Sequence, residues 1–307
     1  RQRQMCIRDS LYILLTLLLL IPGALTGAGS VTVLITGGMV ATVLGSMGIS
    51  QPKTAAIVFI VAGLSAAAPP VSLWAMLTAA GVNMPYVGFF LPLFLPCLLL
   101  GLLTIFMLGW KGKLINLEEA LRKLPEAPPK MNWLRIGLPF FVFLALVLAV
   151  RIWPFSLPVM GLPLMFTFAS VVTLLLSPRR LPLLEISRRT VHQLLPLIGT
   201  LTCAGILVQI MTLTGVRGLI AITTVTLPVA FVIYSLCLTL PLSEAVLMWG
   251  AAPVLGVPLV LLFNTIGLNP VIALAGMSVI WPLGDALPPT AIIGRLTVDT
   301  VGMKEPY

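Results

Sequence analysis

Ser65-Ala66-Ala67-Ala68-Pro69-Pro70-Val71-Ser72 sets two consecutive prolines inside an apolar run, and Asp285-Ala286-Leu287-Pro288-Pro289-Thr290 does so again in the second half of the 307-residue chain. A proline removes a backbone donor and its ring clashes with the carbonyl four residues back, so a pair stops a helix. Both pairs have company at matching distances. Gly48-Ile49-Ser50-Gln51-Pro52 precedes the first and Gly267-Leu268-Asn269-Pro270 the second; Pro52 to Pro69 is 17 residues, Pro270 to Pro288 is 18. Farther upstream lie two short polar, helix-breaking stretches, Thr26-Gly27-Ala28-Gly29-Ser30 and Thr239-Leu240-Pro241-Leu242-Ser243. Downstream, Pro85-Tyr86 is answered by Pro306-Tyr307.

The surroundings of these breaks are apolar to a degree that decides the class. Hydrophobic residues make up 59% of the chain and charged ones 9%, with a mean hydropathy of +1.12. A soluble domain carries about 25% charged residues. Continuous apolar stretches recur at lengths that cross roughly 30 Å of hydrocarbon. Continuity, in place of alternation, disfavours a barrel. The formal charge of +9 does not indicate nucleic acid, because Lys and Arg gather in loops between apolar runs without aromatic interleaving. Cys6, Cys97, Cys203 and Cys237 lack metal-ligand spacing, and the last three read as small packing residues. His192, the one histidine, follows Arg188-Arg189 and reads as interfacial.

Residues 1–10 do not match the apolar run that begins at Leu11 and resemble a non-native leader. The first repeat then occupies 11–108. It comprises two apolar arms, 11–21 and 31–47, around the Thr26–Ser30 tip, a crossing over 54–82 broken at Pro69-Pro70, and a full span over 86–108. The arms fit either a re-entrant hairpin or two ordinary spans joined by a Gly-rich turn. A charged linker covers 109–135. The second repeat, 136–307, holds spans at 136–152, 157–176 and 191–214, an arm over 218–238, the second tip, a return arm over 245–263 and a second broken crossing over 270–300. On this division the first repeat is truncated at its N-terminus and the second at its C-terminus.

Topology is read from charge. Lys111, Lys113, Arg122, Lys123, Lys130 and Arg135 lie in one loop and Arg179, Arg180, Arg188 and Arg189 in another, with two spans between them. Both loops therefore face the cytoplasm. Tracing outward from them, the first hairpin opens to the cytoplasm and the second to the opposite side. The expected fold is an all-α polytopic membrane protein: an inverted-repeat secondary transporter with re-entrant hairpins and Pro-Pro-broken helices.

Broken helices expose N–H and C=O groups that persist in hydrocarbon only where something compensates them, and cations or anions do so. Intramembrane charge marks function by default. Glu244 and Asp285 flank breaks. Asp285, three residues before the prolines, is either a cap on the following half-helix or a cation or proton site. Arg295 and Asp299, at i and i+4, read as a paired couple. A membrane enzyme would need a catalytic constellation, and no span carries one; no catalytic residue is assigned.

Several of these stretches resemble the large membrane subunit of tripartite ATP-independent periplasmic (TRAP) transporters. They are Ser65–Ser72 with Ala79-Ala80-Gly81, Thr239–Ala245, Ala251-Ala252-Pro253 and Gly267-Leu268-Asn269-Pro270. The resemblance implies Na⁺-driven uptake of an organic anion, a dicarboxylate or sugar acid, across the bacterial inner membrane. It implies an extracytoplasmic solute-binding protein and a small membrane subunit as partners, and no cofactor beyond the coupling ion. Ion and substrate contacts would lie near Thr26, Gly27, Gly29, Ser30, Pro69, Pro70, Ser72, Pro241, Ser243, Pro288, Pro289 and Thr290. The chain departs from the family where Leu242-Ser243-Glu244 follows Pro241 and where Asp285 replaces a small or hydroxyl residue. A stand-alone Na⁺- or H⁺-coupled organic-anion carrier is the alternative.

Overall fold

Every regular element is helical in a computed structural model that describes residues 2–112, 132–152, 161–177, 182–289 and 291–303. Four helices are long and apolar enough to cross a membrane: Ile7–Thr26, Gly29–Ser46, Phe90–Leu108 and Val229–Gly250. On Phe90–Leu108, Leu93, Cys97, Gly101 and Ile105 form a buried stripe. Leu91, Leu95, Leu99, Leu103 and Met107 form an exposed one at the same helical spacing. A soluble helix would turn polar residues outward; this one is apolar on both faces, as a helix against lipid is.

The chain divides into two compact units, Arg1–Leu124 with Ile198–Tyr307, and Pro125–Leu197. In the second unit, helices Trp133–Ile152 and Leu162–Leu176 pack on each other, with the Phe143 and Phe166 rings stacked at 4.4 Å.

The first unit contains α1 (Gln2–Thr26), α2 (Gly29–Ser46), α3 (Gln51–Ala67), α4 (Leu73–Gly81) and α5 (Phe90–Leu108). After the long helix Leu183–Leu213 come α6 (Val216–Thr226), α7 (Val229–Leu247), α8 (Val257–Thr265), α9 (Pro270–Ile280) and α10 (Ile292–Val301). α1 continues through Pro22, and the buried Tyr12 hydroxyl donates to Gly109 O at 2.6 Å, tying α1 to the end of α5.

The backbone repeats itself. A five-residue π-helical turn, Val33–Gly37 or Ala252–Gly256, leads into a nine-residue helix, Gly38–Ser46 or Val257–Thr265. Each ends at a glycine with positive φ, Gly48 at 75° and Gly267 at 84°, a conformation that costs glycine nothing. The same two bonds close both turns. Gly48 N donates to Gly45 O and Ile49 N to Leu44 O, while Gly267 N donates to Asn264 O and Leu268 N to Phe263 O. The next helix starts at Gln51 or Pro270 and gives way before a cis Pro-Pro bond. Helix resumes at Leu73 or Ile292 and stops at left-handed Asn83 or Gly302. Each of these pairs of positions is 219 residues apart. The unequal proline spacing in the sequence is thereby explained: Pro52 is the second residue of its helix and Pro270 the first.

The copies also exchange partners. A Cβ on Gly38 would meet Thr300, and one on Gly81 would meet Val257. Gly81 and Val257 are the counterparts of Thr300 and Gly38. Each contact is the other with the two copies exchanged.

The second copy differs from expectation at its tip. Thr239–Ser243 does not break the helix: α7 continues through Pro241 to Leu247. One proline deletes a single ladder bond, and the flanking turns hold the helix together. The chain leaves the helix at Met248, φ 51°, where a short 3-10 turn, Met248–Gly250, begins. The arm expected over 218–238 is two helices, because Pro228 starts a new one. The span expected over 191–214 lies within Leu183–Leu213.

Candidate functional site

α3 ends because the residue before a proline is pushed into extended conformation; Ala68 has ψ 144°. The first tip rests on this interruption. Val71 N donates to Ala24 O at 3.0 Å, and Gly27 has room for no side chain beside Val71 and Leu73. Gly29 lies against Ala62 O and Ile293, so the tip touches both copies of the repeat. Just beyond it, Thr32 Oγ1 and Ser65 Oγ are 2.8 Å apart, and Ser65 donates to Ala62 O at 2.6 Å. Pro69 is buried and Pro70 half-buried. Ser72 opens α4 with a buried hydroxyl that has no partner.

The second interruption is built differently. Where α3 stays α-helical to its end, the matching stretch tightens after Ile280 into a 3-10 turn, Trp281–Ala286. This turn packs along α7. Gly284 permits the approach, since a Cβ there would overlap the Pro241 carbonyl and come within 2.7 Å of Glu244 Cβ. The residue after Gly284 is Asp285. Two acidic side chains thus share one buried region, Glu244 fully buried and Asp285 5% exposed.

Both Glu244 carboxylate oxygens and Asp285 Oδ1 lack a hydrogen-bond partner. The buried Trp74 indole faces Glu244 from α4, its N–H unpaired, and the Tyr86 hydroxyl lies by the Ser72 backbone. Tyr86, Ser72, Trp74, Glu244 and Asp285 thus all bury polar atoms without hydrogen-bond partners.

Other expected site residues are not among these. Thr26 is exposed, its hydroxyl donating to Pro22 O at 2.8 Å; Ser30 is half-buried. Pro241 and Ser243 sit inside α7 and form no tip, the Ser243 hydroxyl donating to Leu240 O at 2.7 Å. Pro288 and Pro289 are exposed, unlike the first pair, and Thr290 lies outside the described residues. Arg295 does not pair with Asp299. It reaches back to Pro289 O at 3.4 Å, and the ion pairs among the described residues are Arg8–Asp9 and Arg189–Glu185.

The sequence marked Glu244 as flanking a break but gave no sign that it shares a buried region with Asp285, or that Trp74 lies by Glu244. The displaced second tip did leave a signal in Gly250-Ala251-Ala252-Pro253, where a glycine and a proline close together interrupt the apolar run. Among the described residues no group of three His, Cys, Asp or Glu side chains gathers as metal ligands. Comparison with protein-family models, with curated proteins and with solved structures finds no match.

Proposed function

We propose that this protein is the membrane permease of an ion-coupled secondary carrier for a small organic anion. The observation that carries the reading is the reciprocal packing of two interrupted helices, with Gly63 of α3 against Pro282 of the other copy, where a Cβ on Gly63 would lie 3.2 Å from Pro282 Cβ. A carrier works by exchanging two arrangements around one site, and repeats related by a two-fold have two such arrangements of nearly equal energy. The charge of the loops supports an inverted relation, with the axis in the membrane plane.

The resemblance to TRAP permeases adds the finer reading. Na⁺ is the coupling ion, held by hydroxyls and open carbonyls at the interruptions; a dicarboxylate or sugar acid is the substrate. An extracytoplasmic binding protein delivers it, a small membrane subunit completes the complex, and the bacterial inner membrane is the location. Hard oxygen donors suit Na⁺, and the unpartnered Ser72 hydroxyl supports the first interruption as a contact. The stand-alone H⁺-coupled reading is favoured by Glu244 and Asp285, acids buried with partnerless carboxyl oxygens.

Radiolabelled organic-acid uptake into proteoliposomes, under an imposed Na⁺ or pH gradient, tests the function; no uptake under either gradient overturns it. Orientation is tested separately. Ser50 and Asn269 are equivalent exposed residues that open α3 and α9. In a cysteine-free background, Ser50→Cys and Asn269→Cys should react with an impermeant maleimide from opposite faces. Reaction from one face overturns the inverted arrangement.

A further inference from the structure

We propose that Glu244 and Asp285 form a proton-binding site, a pair of buried carboxyls that carries one proton between them. The site stands on its own geometry; its use in coupling transport to a proton gradient rests on the proposed carrier function.

Two ionised carboxylates buried in one region are costly unless a cation or several donors compensate them. The surrounding elements supply little of either. Against α7 pack the Trp281–Ala286 turn, Met248–Gly250 and α9, and Asp285 is the one titratable group they hold. Against the turn pack α3 and α10, which bring Lys53, Arg295 and Asp299. All three are exposed, and Arg295 is engaged with Pro289 O. α4, on the remaining side, has no titratable residue.

The Trp74 indole decides which ligand fits. Its N–H is a donor, fully buried, unpaired and turned toward Glu244. A donor beside the carboxylates opposes a metal cation, which needs further oxygens and typically six or more for a divalent ion. It suits an acid pair, because the carboxylate left ionised accepts the indole N–H while the other carries the proton. Space argues the same way: a methyl group on Gly284 would not fit against Glu244, and a proton occupies no volume. In uptake an O–H bond forms at one carboxylate as a hydronium ion gives up its proton and becomes water. On release that bond breaks and the proton passes to a water on the other face.

Infrared spectroscopy of the full chain in proteoliposomes tests the site without reference to transport. At about pH 7 a protonated-carboxyl C=O band should be present that moves on transfer to D₂O. It should shift in Glu244→Gln or Asp285→Asn, amides that keep the shape of the neutral acid, and be lost in the double variant. If neither variant folds, dicyclohexylcarbodiimide labelling of the wild-type protein, mapped by mass spectrometry, should modify Glu244 or Asp285. Absence of the band, its persistence unchanged in a folded variant, or labelling at neither acid overturns the proton site. A protein that shows the band but accumulates no organic acid under any gradient keeps the proton site and loses the carrier reading.

Discussion

Gly63 and Pro282 occupy equivalent positions in two copies of one backbone pattern, and they touch: a Cβ on Gly63 would lie 3.2 Å from Pro282 Cβ. Gly63 lies near the end of α3 and Pro282 just after α9, three residues before Asp285.

This contact should be measurable as coupling. Gly63→Ala forces the Pro282 ring to give way, and Pro282→Ala relieves it. A double-mutant cycle on thermal or denaturant unfolding in detergent should return an interaction energy of about 0.5–3 kcal/mol. Strict additivity would show that the two copies do not press on each other here.

Gly284 brings the Trp281–Ala286 turn close against α7. Gly284→Ala overpacks it against the Pro241 carbonyl and should cost about 1–3 kcal/mol. Gly276, in the helix just before the turn, has nothing within 4 Å of where a Cβ would be. Gly276→Ala should be neutral or stabilising by up to about 1 kcal/mol. Equal shifts in melting temperature for the two variants would contradict the geometry.

The Thr32–Ser65 pair gives an asymmetric prediction. Ser65 donates to Ala62 O, which leaves Thr32 to donate to Ser65. Ser65→Ala strands a buried hydroxyl on Thr32 and should cost about 1–3 kcal/mol, whereas Thr32→Val removes a donor that nothing else requires and should cost less. Unfolding midpoints in the reverse order would reverse the assigned donor.

Gly48 and Gly267 should respond alike despite lying in different halves. Both hold positive φ in turns closed by the same pair of hydrogen bonds. Substitution to Ala at either should destabilise by about 1–2 kcal/mol, and substitution to Asn by less, because Asn tolerates the left-handed region. A difference of more than about 1 kcal/mol between the two alanine variants, compared by thermal unfolding, would show the turns are not equivalent.

What the amino-acid order determined by itself was the class of molecule and the positions of the interruptions. Apolar runs and doubled prolines act locally: hydrocarbon length sets the first, and the missing N–H with its steric clash sets the second. A single proline is weaker, which is why Pro241 sits within a continuous helix and the second tip moved to Met248. The tertiary structure alone decided which polar groups meet. Glu244, Asp285 and Trp74 come from three separate elements, and nothing in their spacing along the chain encodes their contact. It arises from side-by-side packing of helices, an arrangement long-range in sequence and stabilised by burial summed over many apolar residues, leaving a few polar ones enclosed without partners.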